Sequence, residues 1–133
     1  MKKKVFLILT GFVVLAGTAF LWFQARINRM YDTFASEEIT DIDLTSLQNG
    51  VYPGEAGEFV VSVKLTVTVE NHTITSIDII DQNGGSGYEA LEILPRMIEA
   101  QSPDVDIVTG ATGSSRCIMI AVRNALLAGT ESE

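Results

Sequence analysis

Residues 59–70 read Phe59-Val60-Val61-Ser62-Val63-Lys64-Leu65-Thr66-Val67-Thr68-Val69-Glu70. Val61, Val63, Leu65, Val67 and Val69 fall on one face, and Ser62, Lys64, Thr66, Thr68 and Glu70 on the other. Successive side chains of a strand point to opposite sides, so this period of two predicts a strand with one buried and one wet face. A sheet with one apolar face needs a cover, and helices must supply it. Downstream, Asn71-His72 makes a tight connection, and Ile74, Ile77, Ile79 and Ile80 supply a second β-branched strand, giving an antiparallel hairpin. His72 is the only histidine. It falls at the hairpin tip, where solvent is expected, and it has no partners for metal ligation. Upstream, Asn49-Gly50 signals a turn. Val51-Tyr52 then opens an edge element that Pro53-Gly54 is expected to interrupt.

Past the hairpin, Asp81-Gln82-Asn83-Gly84-Gly85-Ser86-Gly87 predicts a flexible loop, its glycines allowing a tight turn or close backbone approach. A helix should follow with Ala90, Leu91 and Leu94 inward. Pro95 suits the start of a second helical turn that Met97 and Ile98 continue, and residues 101–104 close it. Farther on, Ile118, Ala121, Val122, Ala125 and Leu126 recur at the spacing of a core-facing helix, with Gly129 as its expected end. The fold class is therefore α+β: a small antiparallel sheet with helices packed on one side, preceded by one transmembrane helix.

That last element is the N-terminus. Three lysines follow Met1, and residues 5–23 carry no charge. About 20 apolar residues cross a bilayer core as a helix. A cleavable signal peptide has a shorter apolar core and a small-x-small cleavage site; here the run continues through Phe20-Leu21-Trp22-Phe23. Val14-Leu15-Ala16-Gly17-Thr18 resembles a lipobox, but Thr18 stands where a lipoprotein needs cysteine. A retained anchor is the better reading. The flanking lysines put the N-terminus in the cytoplasm and the domain outside it. Ile27, Met30, Tyr31 and Phe34 continue at helical spacing, so the anchor helix should run on past the membrane, this stripe packing against the domain or the lipid surface. Glu37, Glu38, Asp41 and Asp43 mark a solvated stretch. The expected organisation is residues 1–4 basic and cytoplasmic, 5–23 transmembrane, 24–47 connector, 48–129 folded domain and 130–133 polar tail.

Charge excludes one class of partner. The net charge is -8, and all 17 acidic residues follow Met30, against only Lys64, Arg96, Arg116 and Arg123 there. Such a domain has no electrostatic footprint for nucleic acid. The single cysteine, Cys117, excludes an internal disulfide and a four-cysteine metal site. It could sense redox state, but a small buried residue is the simpler account.

Function turns on Asp106-Ile107-Val108-Thr109-Gly110-Ala111-Thr112-Gly113-Ser114-Ser115, which runs directly into the last helix. Small residues and hydroxyls at a helix start have two uses. A serine or threonine can cap the free N–H groups, or the N–H groups and the helix dipole can receive a phosphate. Local physics does not choose between them. A nucleophile elbow Gly-x-Ser-x-Gly and a Gly-Lys-Ser/Thr phosphate loop are both absent, and no acid–base or nucleophile constellation stands out, so no catalytic residue is assigned.

Asp106-x-x-Thr109-Gly110-Ala111-Thr112-x-Ser114 resembles the flavinylation signature of the FMN-binding domain family, Asp-x-x-Ser/Thr-Gly-Ala-Ser/Thr-x-Ser/Thr. That family includes peripheral subunits of Rnf-type and sodium-pumping NADH:quinone reductase complexes and small anchored flavoproteins of extracellular electron transfer. The resemblance runs from about Asn49 to Ala128 and takes in Asn49-Gly50-Val51-Tyr52, the Gly85-x-Gly87 loop and Leu94-Pro95-x-x-Ile98. It implies FMN joined through its phosphate to Ser114 by a flavin transferase that uses FAD. Thr109, Gly110, Ala111, Thr112 and Gly113 would line the phosphate and ribityl chain, Asp106 would be read by the transferase, and Gly85 and Gly87 would approach the cofactor. It further implies an electron carrier fed by a membrane quinone or NADH oxidoreductase, with no metal. Two alternatives stand beside it: a flavin module of a reductase that acts on a small substrate with a partner chain, and a non-flavinylated sensor or assembly protein.

Overall fold

The computed structural model describes residues 1–85 and 88–132. Helix α1 spans Lys2–Ser36, and a 3-10 turn at Leu44–Ser46 follows. Strands β1 (Gly50–Glu58), β2 (Val61–Glu70) and β3 (Thr73–Asn83) come next, then helices α2 (Ile93–Ala100) and α3 (Thr112–Glu131). The strands form one antiparallel sheet in the order β1-β2-β3. Helix α3 lies across β1 and β2, and α2 sits against β3. The class is α+β, with a long apolar helix in front, as the alternation and the apolar run predict.

The valines of β2 and Leu65 are buried, and they meet Ile118, Ala121, Val122, Ala125 and Leu126 of α3 in one core. The isoleucines of β3 do not keep a period of two, and the register explains why. Opposite β2, Thr75 and Ile80 are each left without a partner at a bulge. A bulge adds one residue to one strand and resets which face the next side chain takes. Ile74 and Ile77 thereby both point inward, whereas Ile80 is exposed.

Several local expectations are corrected. Strand β1 runs unbroken through Pro53-Gly54. It is an edge strand, and an edge strand tolerates a missing N–H. Residues 81–83 belong to β3 rather than to a loop. The helix after the glycines starts only at Ile93, and Leu91, expected inward, is exposed while Ile93 is buried. Pro95 sits in the first turn of α2, where N–H groups have no intrahelical acceptor anyway. Helix α3 continues past Gly129 to Glu131. Gly129 is a packing residue: a Cβ there would lie 2.6 Å from Leu47 and 2.7 Å from Tyr52.

His72 is also more than a solvated tip residue. Asn71 and His72 both have positive φ, 50° and 61°, as a type I′ hairpin turn requires. His72 Nδ1 lies 3.2 Å from the Leu44 carbonyl and 3.1 Å from that of Leu47, which ties the tip to the 3-10 turn.

The N-terminal helix is joined firmly to the domain. It is continuous to Ser36, and Met30 and Phe34 are buried in the domain core at 2% and 3% exposure. Its last carbonyls would otherwise lack partners. Arg116 donates to the Phe34 carbonyl at 2.7 Å and to the Glu37 carbonyl at 2.7 Å. Arg123 donates to the Glu38 carbonyl at 2.7 Å and pairs with the Glu37 carboxylate at 2.9 Å. Glu37 and Glu38, expected in a solvated stretch, are thus held by two arginines of α3.

Candidate functional site

Helix α3 begins inside the motif, at Thr112, with Ala111 as its N-cap residue. No side chain caps it. The first turn of any helix leaves N–H groups unpaired, and those of Thr112, Gly113 and Ser114 find no acceptor among the described residues. The capping explanation for the motif's hydroxyls therefore fails, and a helix start open to an anion remains.

The loop before the helix is held in place from two sides. Gly110 has φ 82°, a left-handed conformation with open space around its α-carbon. Glycine is required there by conformation rather than by crowding. Arg96 of α2 donates to the carbonyls of Asp106 and Ile107 at 3.2 and 3.3 Å.

The two adjacent serines have different tasks. Ser115 is fully buried, and its Oγ accepts the Val108 N–H at 3.0 Å, closing the loop onto the helix. Ser114 faces the other way. It is 4% exposed, its Oγ forms no hydrogen bond among the described residues, and it lines a cavity of about 240 Å³. Ser115→Ala should leave the Val108 N–H without its acceptor and cost about 1–2 kcal/mol. Urea denaturation followed by circular dichroism checks this.

Gly110, Ala111, Thr112, Gly113 and Ser114 share that cavity with Tyr31, Val61, Gly84 and Tyr88. Thr109 lies in an adjoining cavity of about 390 Å³, which has Gly110, Ala111 and Tyr88 in common with the first. Asp106 is exposed and lines neither. Gly85 has φ 92° and lines a separate cavity with Gln82, Asn83 and Glu89. Gly87 is outside the described residues.

Four cavity residues were not singled out as site residues from sequence. Gly84 lies close to the Ser114 hydroxyl: a Cβ there would sit 3.0 Å from Ser114 Oγ. The signal for it is the Gly84-Gly85 pair, one member for conformation and one for space. Tyr31 comes from the far end of α1, and its ring lies 3.4 Å from where a Gly113 Cβ would be. The helical stripe containing Tyr31 was legible, but its packing partner was not. Tyr88 follows the glycine loop, and Val61 is the first residue of β2.

Cys117 is buried one turn beyond Ser114, and its Sγ lies 3.4 Å from the Ala56 carbonyl. Burial pushes its thiol up to about 12. Reactive cysteines have lowered values and electropositive surroundings, so Cys117 is a packing residue here.

These features fit the phosphate end of a flavin mononucleotide. The helix start offers N–H groups without acceptors among the described residues, glycine at position 84 leaves space beside the Ser114 hydroxyl, and Tyr31 and Tyr88 line the cavity. The family comparison agrees with the geometry. Residues 60–127 match the FMN-binding domain, and the chain belongs to this family of flavin-binding domains. Comparison with curated proteins gives no match.

Proposed function

We propose that the protein is a membrane-anchored electron carrier whose FMN is esterified through its phosphate to Ser114 Oγ. The observation that carries this reading is the uncapped start of α3, where Ser114 presents a hydroxyl, and the first backbone N–H groups stand, without hydrogen-bond partners among the described residues. A phosphate joined to that oxygen would lie at the positive end of the helix dipole. Attachment by a transferase using FAD would form the Oγ–P bond as the pyrophosphate bond breaks. AMP would depart and the hydroxyl proton would be lost. The exposed Asp106 would serve recognition by the transferase rather than contact with the cofactor.

Bound flavin supplies reversible one- and two-electron chemistry, and the protein supplies position and electrostatics. Tyr31 and Tyr88 flank the cavity and would exclude water from it. Helix α1 is long and apolar enough to cross a membrane. With lysines at its N-terminus, it would hold the domain on the extracytoplasmic side, close to a membrane quinone or NADH oxidoreductase as donor.

Gly84→Val should narrow the space beside Ser114 and reduce flavin attachment at least ten-fold, with the fold retained. In-gel flavin fluorescence and circular dichroism together check that outcome. The carrier role is tested with protein co-expressed with a flavin transferase and given only a chemical reductant. The expected result is uptake of electrons by one flavin per chain and no sustained turnover of small substrates. Sustained turnover would favour the reductase-module reading instead.

A further inference from the structure

The turn between β1 and β2 is Phe59-Val60, and Phe59 has φ 56°. A positive φ at the first position of a two-residue hairpin turn is normally taken by glycine, because a bulky side chain is strained there. An aromatic residue held in that conformation at a hairpin tip calls for a compensating contact. Phe59 makes three. Its ring centroid is 6.3 Å from that of Trp22 and 5.6 Å from that of Phe23, and the Arg26 guanidinium carbon stands 5.0 Å over its face. All three partners lie on α1.

Their place along α1 fixes their height. Residues 5–23 at the helical rise span about 28 Å, close to the ~30 Å thickness of a bilayer's hydrocarbon core. Trp22 and Phe23 end that run, at the level where aromatic side chains favour the interface. A ring packed on both of them is at the same level. Val60 beside it is 39% exposed. The Arg26 guanidinium also pairs with the carboxylate of Glu58, the last residue of β1, at 3.9 Å, which holds the turn to the same level of α1.

We infer that the β1–β2 hairpin tip, Phe59-Val60, rests in the headgroup layer of the membrane and forms one aromatic belt with Trp22 and Phe23. The inference builds on the reading of α1 as a membrane anchor. It makes the tip a second point of membrane contact, which limits tilting of the helix and the domain together. It also sets the height of the cavity. Val61 follows the tip directly and lines the Ser114 cavity. Tyr31, which also lines it, is eight residues beyond Phe23, about 12 Å along an upright helix. A cofactor there would face electron partners embedded in the membrane.

The test uses the full chain in phosphatidylcholine vesicles containing nitroxide lipids, with one introduced cysteine carrying a fluorophore. Native Cys117 is buried and stays unlabelled. Val60→Cys reports the tip, Leu15→Cys the middle of the helix, and Glu70→Cys the other end of β2. The label at position 60 should be quenched several-fold by a headgroup nitroxide, and the label at 15 by a deep-chain nitroxide. The label at 70 should be unaffected by either. Quenching at 60 no greater than at 70, with 15 still quenched, would overturn the hairpin inference alone. Absence of quenching at 15 would overturn the anchor reading with it. Phe59→Gly relieves the backbone strain and should lower quenching at 60; unchanged quenching would contradict a seating role for Phe59.

Discussion

Ser114→Ala should abolish the proposed covalent attachment of flavin. Co-expressed with a flavin transferase, the wild-type chain should run as a fluorescent band on a denaturing gel, and the variant should give none. The expectation is all-or-none because a covalent bond needs its oxygen. The neighbouring hydroxyls should not substitute. Ser115 Oγ is fully buried and engaged with the Val108 N–H, and Thr112, though it lines the same cavity, stands about 200° around the helix from Ser114. The variant should remain folded, since Ser114 Oγ supports no hydrogen bond among the described residues. Ser114→Thr keeps the hydroxyl and should restore the band, unless the added methyl meets Gly84, which already lies close to the oxygen. A fluorescent band of wild-type intensity in Ser114→Ala would contradict the assignment.

Gly54→Ala should be the most destabilising single substitution considered. Strand β1 passes so near α3 at this point that a Cβ would lie 2.2 Å from the Ala121 carbonyl oxygen, 2.7 Å from Ala125 Cβ and 3.0 Å from Ala125 N. Two of these three are backbone atoms of a helix interior, so no rotamer change relieves the clash. Overpacking commonly costs about 1–3 kcal/mol, and here the helix itself must shift, so about 3 kcal/mol or more is expected. That is a large fraction of a stability of roughly 5–15 kcal/mol. The melting temperature should fall by on the order of 15 °C. Gly110→Ala provides the contrast: nothing lies within 4 Å of its added carbon, and only the strain of φ 82° remains. Its melting temperature should fall much less. Equal effects of the two substitutions would contradict the close approach of β1 and α3.

The main elements were legible because their causes are local. Alternation in β2, apolar spacing in α3 and the uncharged run in α1 each follow from a single periodicity. What stayed hidden depends on contacts distant in sequence. Pro53 does mark β1 as an edge strand, but the same edge position makes the missing N–H harmless, so the strand runs on through it. The bulges at Thr75 and Ile80 arise from pairing with β2, so an irregular isoleucine pattern was ambiguous by itself. Gly129 looked like a helix stop because its close neighbours, Leu47 and Tyr52, are far away along the chain.

The site divides in the same way. Gly110 to Ser114 gather on one cavity, as a contiguous motif at a helix start must. Tyr31 and Gly84 join them only through packing. Tyr31 reaches the cavity because Arg116 and Arg123 fix the end of α1 against α3. The apolar stripe of α1 predicted packing without saying what it would pack on. The choice between cap and cradle needed the hydrogen-bond pattern, in which Ser115 binds the loop and Ser114 binds nothing among the described residues.

The central claim is that one oxygen carries the flavin. Trypsin should release residues 97–116, with Thr109, Thr112, Ser114 and Ser115 on a single peptide. Fragmentation of that peptide from wild-type protein co-expressed with a flavin transferase should locate the mass of one FMN phosphoester on Ser114. The same mass on Ser115, Thr112 or Thr109, or a peptide free of FMN, would contradict the account.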